Sequence, residues 1–498
     1  MGRNRAAEMS AGNGSGILTR RNLLRRAGSV IAAAAFRPWP GMGEQPISPV
    51  MAKLSTYMSE ANSRTLPEMV VEKVKQHILD TFAAIVSGSE LAVGRAAIRF
   101  AQGYGGEKTA TVVGSQLVCG PIEGAFTNGM LAQSDETDDS HAPSQSHPGC
   151  AVVPAGLAVG EQFGIDGTHF LRAVTLGYDI GTRVTMTLGG RAFQNESHRD
   201  THSIAGVFGA ASAAGCAANL NTNQMRWLLD YAAQESSGVA AWHRGTEHIE
   251  KSFVFAGMPA RNGVTAALVV QAGWTGVDDI FSGADNFFLA YAPHADPAGL
   301  VEKLGERYEV TRTDIKKWSV GSAIQAPLDA IETLLKRHPF EAEQVRQVIV
   351  RVGTHEAAGV NNRDIPDICL QHMIAVMLID KTVSFRAVHD KPRMLEPATL
   401  LQRAKVQLIP DDELERRLPR REAIVEVTLA DGTHLTEHVE AVRGSVDNPM
   451  TRDEVVAKAR DLMTPVLGTA ISTNLIEKLL GLENVKDLRE LRPLLQRP

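Results

Sequence analysis

Apolar residues recur at every fourth position from Val70 through Val74 and Ile78 to Phe82, in a stretch opened by Leu66-Pro67-Glu68. That spacing predicts an amphipathic helix over 66–88, with the proline suited to its first turn. The segments 121–133, 150–164, 167–187, 202–219 and 223–240 read as further helices. They are rich in Ala and Gly, so they predict helices that approach closely in a compact bundle. Beyond about residue 310 the period changes. Val348, Val350 and Val352 alternate, as do Val425, Val427 and Leu429 ahead of Asp431-Gly432, a favoured hairpin turn. Val406 and Leu408 alternate more weakly, and Leu435, Glu437 and Val439 read as a returning strand. Helices are expected at 323–336 and 367–380, and the helical period resumes over 451–463 and 469–480. The expected fold class is mainly α with an α+β lid. A large all-helical domain is formed by 48–310 and 444–498, and a smaller α+β domain, 311–443, is inserted between its two parts.

Composition bounds the rest. At 498 residues the chain exceeds a single hydrophobic core and suggests two or three domains. Hydrophobic residues at 44% and charged residues at 22% are ordinary for a globular chain, which excludes disorder or coiled coil for the bulk. Net charge is −6, but residues 1–40 hold seven arginines and one glutamate, a balance of +6, which leaves −12 for the remainder. A basic face for nucleic acid is therefore not expected. The start, Thr19-Arg20-Arg21-Asn22-Leu23-Leu24 followed by an apolar run from Gly28 to Phe36, resembles a twin-arginine export signal over 1–45. It predicts the twin-arginine machinery as a partner and a periplasmic location, or a cytoplasmic one if the signal does not function; a basic disordered tail is the alternative. The apolar run is too short to span a bilayer, and no later run of 18 apolar residues occurs, so no stable membrane insertion is expected. The four cysteines, Cys119, Cys150, Cys216 and Cys369, fall in no metal-ligand spacing.

The densest polar stretch is 134–148, where Asp135, Glu136, Asp138, Asp139, His141 and His147 fall within thirteen residues. A solvated acidic loop would have the same composition. However, His147-Pro148-Gly149 leads directly into the apolar run Ala151-Val152-Val153-Pro154, which puts His147 at a helix N-terminus, where anions are favoured. Carboxylates beside histidine also form an acid/base set. The central glycine and Asp spacing of a calcium loop are missing. His202, in Asp200-Thr201-His202-Ser203, is either a cap or packing residue or a proton-transfer group. Lys251 is either a surface lysine or a buried cation. No glycine-rich nucleotide motif and no G-x-S-x-G elbow is present, which disfavours nicotinamide, ATP and serine-hydrolase chemistry.

These segments occur in a specific order. Ala125-Phe126-Thr127-Asn128-Gly129, then Asp138-Asp139-Ser140, then His147-Pro148-Gly149 match A-x-x-N-G, D-D-T and H-P-S/G. Leu176-Gly177-Tyr178-Asp179-Ile180, His202-Ser203 with Gly206 and Gly209-Ala210-Ala211, Lys251 with Gly257, Ala260 and Gly263, and the turn Gly444–Pro449 follow. Together they resemble the MmgE/PrpD family over about residues 50–480. The resemblance implies a helical domain with an α+β lid, usually a homodimer, and chemistry without metal or cofactor on di- or tricarboxylic acids. It assigns Asp138, Asp139, His147, His202 and Lys251 to catalysis, and Glu136, Ser140, Lys317 and Gln325 to substrate binding. The chain departs from the family in the lid. Many members have K-x-Y-P-x-C-R-x-x-H, whereas this chain reads Lys317-Trp318-Ser319-Val320-Gly321-Ser322-Ala323-Ile324-Gln325. The Tyr, Cys, Arg and His are lost, which disfavours citrate-like acids and favours a smaller or less charged one. The expected function is a cofactor-independent lyase, a dehydratase or decarboxylase. The alternatives are an epimerase of a small dicarboxylate, or an exported binding protein for an organic acid.

Overall fold

The computed structural model describes residues 46–497 apart from Thr246, so the twin-arginine-like segment lies outside the described residues. Among the described residues, ten helices of seven or more residues build the N-terminal part. They are α1 (Pro49–Ser59), α2 (Glu68–Gly88), α3 (Ala92–Tyr104), α4 (Pro121–Ala132), α5 (Gly149–Phe163), α6 (Gly167–Leu188), α7 (Arg191–Ser197), α8 (Thr201–Ala217), α9 (Thr222–Glu235) and a long α10 (His248–Gln271). Val70, Val74, Ile78 and Phe82 are all buried along α2. Short polar side chains fix where helices begin: Asp166 accepts from the His169 N–H, Asp200 from that of Ser203, and Asn221 forms a capping box with Gln224. Helix α8 is buried along its whole length and packs against α5, α6 and α10. Such close packing needs small residues: a Cβ on Gly181 of α6 would lie 2.3 Å from the Ala205 carbonyl oxygen of α8.

Helix α10 is irregular. Residues Phe253–Gly257 form a π-turn. Pro259 supplies the reason, because it has no N–H for the Phe255 carbonyl four residues back and its ring crowds that oxygen. The wider turn relieves the crowding, and the Cys150 thiol donates to the Phe255 carbonyl at 3.8 Å. By length and composition α10 could cross a membrane, but most of it is buried as a core helix.

The lid carries a four-stranded sheet in the order β4-β3-β5-β6, with β3 (Val345–Gly353), β4 (Val406–Asp411), β5 (Ala423–Leu429) and β6 (His434–Val439). A separate pair, β1 (Ala110–Thr111) and β2 (Val118–Cys119), lies in the helical part. Val348 pairs with Val406 in the parallel direction and with Val427 in the antiparallel one. Helices α11 (Ser322–Arg337) and α12 (Leu370–Asp380) cover the sheet. Their Ile324, Leu328, Ile331, Met373 and Ile374 join Val348, Val350, Val425 and Val427 in a hydrophobic core separate from that of the helical part.

Helices α13 (Arg452–Leu467) and α14 (Thr469–Leu480) return Val455, Leu462 and Leu475 to the first core. The Lys458 ammonium meets Asp80 of α2 at 2.6 Å. The chain crosses between the cores near 315–318 and 442–450, and the crossings are tied by an Ile315 N–H to Gly444 carbonyl bond of 3.0 Å. Gly444 sits at φ +99°, and a Cβ there would fall 1.9 Å from the Ile315 carbonyl oxygen, so only glycine fits. Both cores belong to one compact unit, Ile47–Pro498.

Candidate active site

The acidic stretch is not a solvated loop. Asp135, Glu136, Asp138, Asp139 and His141 are each no more than 3% exposed. Burying so many carboxylates is unfavourable unless each meets a cation or N–H donor, and each does.

Asp139 anchors the stretch. Its Oδ2 takes bonds from His77 Nδ1 at 2.8 Å and Tyr178 OH at 2.5 Å, and its Oδ1 accepts the Gly149 N–H at 3.0 Å. Burial alone raises a carboxyl pKa, but these partners outweigh it and hold Asp139 below its ordinary value. The same contacts explain the glycine after His147-Pro148. A Cβ on Gly149 would lie 2.6 Å from Tyr178 OH, 2.7 Å from Thr81 Oγ1 and 2.9 Å from Asp139 Oδ1. Asp139 thus pins α2, α6 and the start of α5 together. Of the two roles expected for it, the placement suits orientation rather than proton transfer, since its oxygens are fully engaged.

Asp138 faces the other way. Its Oδ2 accepts from His147 Nδ1 at 3.0 Å, which leaves His147 Nε2 as the free nitrogen. Burial pushes the imidazole down to a pKa of about 4 against the pull of Asp138. His147 is therefore a neutral ring with an available lone pair over most of the physiological range. His202 lies beside it, with ring centroids 5.2 Å apart. His202 is not the helix cap; Asp200 is, and its Oδ2 also orients His202 Nδ1 at 3.3 Å and takes the Trp242 indole N–H at 2.6 Å. The π-turn in α10 presents Phe255, which stacks on His202 at 3.8 Å and touches His147 at 5.5 Å.

Lys251 is no surface lysine. It is ion-paired to Glu136, and its ammonium stands 5.2 Å from the Phe255 ring and 5.5 Å from the Trp242 ring. Lys316, on the first crossing into the lid, completes the chain of charges. Its ammonium is 3.5 Å from Glu136 Oε2 and 3.4 Å from Asp138 Oδ1. Burial raises the Glu136 pKa, but Lys251 and Lys316 outweigh it and hold the carboxyl well below its ordinary range. Charges thus alternate from Lys251 through Glu136 and Lys316 to Asp138, which holds the neutral His147 ring.

Two of the substrate contacts expected from sequence are corrected. Lys317 points into the lid, bonded to Glu332 at 2.6 Å and lying over Trp318 at 4.4 Å. Its neighbour Lys316 holds the site position. Counting back nine residues from Gln325, as K-x-Y-P-x-C-R-x-x-H requires, also reaches Lys316. Gln325 is committed to the loop before α11. Its amide donates to the Trp318 and Val320 carbonyls at 2.7 and 2.9 Å and accepts the Trp318 N–H at 3.1 Å. Ser140 bonds through its backbone to Asp314, at 3.0 and 2.8 Å.

A cavity of about 550 Å³ opens between lid and helical part, walled by Glu136, Trp242, His248 and Lys251 on one side and Ser322, Glu356 and Arg421 on the other. His147 and His202 lie one side chain deeper. A narrower cavity of about 290 Å³ adjoins it, with Ser140, Lys316 and Gln325 in its wall and Ser322 and Arg421 shared. The lid is fastened over this region by two histidine–aspartate pairs, His248 with Asp367 at 3.0 Å and His389 with Asp135 at 3.1 Å. Among the described residues, no group of three His, Cys, Asp or Glu is arranged to hold a metal ion.

Sequence reasoning missed Lys316, His77, Tyr178, Trp242, Asp200 and both lid fasteners. Lys316 carried a readable signal in its spacing to Gln325, and Tyr178 and Asp200 stood inside quoted motifs without a role assigned to them.

Comparison with known proteins gives the chain its family. Cis-aconitate decarboxylases of Aspergillus terreus and Homo sapiens are each 24% identical to the chain, over 480 and 470 residues, covering 91% and 87% of it and 96% and 92% of their own lengths. A cis-aconitate decarboxylase-like protein of Aspergillus oryzae is 24% identical over 480 residues, 90% of this chain and 97% of its own. Residues 52–299 match the MmgE/PrpD N-terminal domain and residues 318–482 the MmgE/PrpD C-terminal domain, and the chain belongs to the MmgE/PrpD family.

Proposed function

We propose that the chain is a lyase acting on a di- or tricarboxylic acid, with decarboxylation of an unsaturated tricarboxylate such as cis-aconitate as the first case to test. What carries this is the Asp138–His147–His202 arrangement, with Lys251 across the same Phe255 ring. Relatives named for cis-aconitate decarboxylation support the reaction class.

A carboxylate entering the cavity competes with Glu136 for the Lys251 ammonium. In decarboxylation the C–C bond to a departing carboxylate breaks and CO2 leaves. The electron pair passes to the carbon conjugated with a remaining carboxylate, and Lys251 stabilises the enediolate-like charge. His202 or Lys251 then returns a proton to carbon. In dehydration the same groups act in another order: His147 Nε2 takes the carbon-bound proton, charge gathers by Lys251, and a donor protonates the departing hydroxyl. Neither route requires the lid residues that this chain has lost.

The full chain is tested against unsaturated and hydroxy di- and tricarboxylates in deuterated water, with CO2 release, water loss and carbon-bound deuterium followed by NMR. CO2 or water release supports the lyase. Deuterium exchange without either would move the assignment to epimerisation. Tight binding with no exchange on any acid would move it to a binding protein. The Arg20-Arg21 pair supports a further proposal, export of the folded chain to the periplasm. On fractionation, replacing both arginines by lysine is expected to retain the chain in the cytoplasm.

A further inference from the structure

The mouth of the larger cavity holds charge that the chemistry above does not use. Arg191, Arg363 and Arg421 all stand in its wall. Arg191 begins α7 on the helical side, while Arg363 and Arg421 come from the lid. Among the described residues, the only side-chain hydrogen bond of Arg191 is a long one, Nε to Gln145 Oε1 at 3.4 Å. Arg421 has one acidic neighbour, Glu356, 3.1 Å from its Nε, yet that Nε is buried without a hydrogen bond, and so is Glu356 Oε1. Burial and the nearby Arg421 charge both push the Arg191 pKa down. The two guanidinium groups therefore repel one another across the gap, where Glu356 and Glu415 offset that repulsion in part. Elsewhere in the molecule buried cations are paired: Lys316 meets two carboxylates, Lys458 meets Asp80, and Arg183 donates to two carbonyls. Half-buried guanidinium forks so sparsely hydrogen-bonded suit a ligand that brings its own carboxylate, since the fork matches a carboxylate in two parallel hydrogen bonds.

Position strengthens the point. Arg421 and Ser322 are common to both cavities. Counted from Lys316, Ser322 is where K-x-Y-P-x-C-R would place its arginine. Arg421, just ahead of β5, thus brings a guanidinium from another segment of the lid to the place where the lid motif has lost one.

We propose that Arg421 and Arg191 together bind a substrate carboxylate remote from the one held at Lys251, and that this pair selects acids with two or more carboxylates. It rests on the proposed reaction only in taking Lys251 as the other anchor. It also reverses the expectation that the altered lid favours a less charged acid. Arg421 comes from the lid and Arg191 from the helical part, so a carboxylate held by both ties the two parts of the molecule together.

The test is binding of tricarballylate, a saturated acid with three carboxylates, against crotonate, with one. Both are titrated by calorimetry into the full chain and its R421Q, R421K and R191Q variants, with each variant's Tm recorded. Expected are at least tenfold weaker tricarballylate binding in R421Q and R191Q, a smaller loss in R421K, and crotonate binding unchanged. If R421Q does not fold, R191Q on the other side of the gap and R421K carry the result. Tricarballylate affinity within twofold of the parent in folded R191Q and R421Q overturns the proposal, as does a parent chain that does not bind tricarballylate. Because tricarballylate is not consumed, failure to find turnover leaves this result standing, and turnover with unaffected R191Q and R421Q sinks this proposal alone.

Discussion

Beneath the cleft each buried acid has its partner: Asp139 has His77, Tyr178 and the Gly149 N–H, Asp138 has His147 and Lys316, and Glu136 has Lys251 and Lys316. At the mouth, Arg191 and Arg421 share Glu356 with no good hydrogen bond among them. The difference separates two tasks. A floor of satisfied pairs holds its geometry whether or not a ligand is present, and removing one member leaves a buried charge alone. A mouth of under-bonded cations gains good hydrogen bonds from the ligand. The floor should then govern kcat and the mouth affinity. His147→Gln tests the first half most severely. It keeps a hydrogen-bonding side chain beside Asp138 but removes the titratable nitrogen, and kcat is expected to fall by about 10³-fold, within the range for a lost general base. The KM should change by less than about threefold, and the Tm should stay within a few degrees. A large KM effect with kcat retained would erase the distinction.

Gly149→Ala attacks the floor's rigidity rather than its chemistry. The new methyl meets Tyr178, Thr81 and Asp139 at 2.6 to 2.9 Å. Overpacking of this kind costs about 1–3 kcal/mol, read as a lower denaturation midpoint. Activity should fall too, because His147 is two residues away. A chain as stable as the parent would mean that the Asp139 anchor has slack.

Much of this floor was readable and much was not, for a physical reason. Val70, Val74, Ile78 and Phe82 announce α2 because helical period and burial are local properties of the chain, and Val348, Val350 and Val352 announce β3 in the same way. His147 and Lys251 could be singled out by motif. Their partners could not. Tyr178 meets Asp139 from 39 positions away, Lys251 meets Glu136 from 115, and Lys316 meets it from 180. Such pairings follow from tertiary packing and leave no periodic trace. The acidic stretch shows the consequence: its composition fits a solvated loop, and only the distant cations make it a buried floor. Lys317 was the one error that counting could have prevented.

The seam between floor and lid should respond to pH in the opposite sense to the floor. Burial lowers the pKa of His248 and His389, but Asp367 and Asp135 outweigh it and raise both. A raised folded pKa means stabilisation that is complete below the unfolded value and is lost as pH rises through the folded one. His147, depressed to about 4, acts the other way: between its unfolded value and about pH 4 the unfolded chain binds a proton that the folded chain refuses, so stability falls as pH falls. Denaturation of the parent and His389→Asn at pH 6 and pH 9 should show the variant destabilised at pH 6 and the gap narrowed at pH 9. A gap that widens with pH would show that the histidine pairs as a neutral ring.

The smallest expected effect lies at Lys317, and its smallness is informative. Lys316 and Lys317 are adjacent cations on the crossing into the lid, and charge alone does not distinguish them. Lys316 is buried among Glu136 and Asp138, whereas Lys317 is about one-fifth exposed and pairs with Glu332, itself partly solvated. A pair of that kind contributes about 0–1 kcal/mol. Lys317→Ala should therefore lower stability by no more than that and leave kcat and KM within about twofold. Lys316→Ala removes one of the two partners of each of two buried carboxylates, and the changed charge beside Asp138 should reach His147. The two variants carry the same change in net charge. If long-range attraction of an anionic acid were what the crossing provides, the two would weaken KM alike. Equal losses would mean that the cleft works through its total field, and the distinction between a paired floor and an unpaired mouth would no longer describe it.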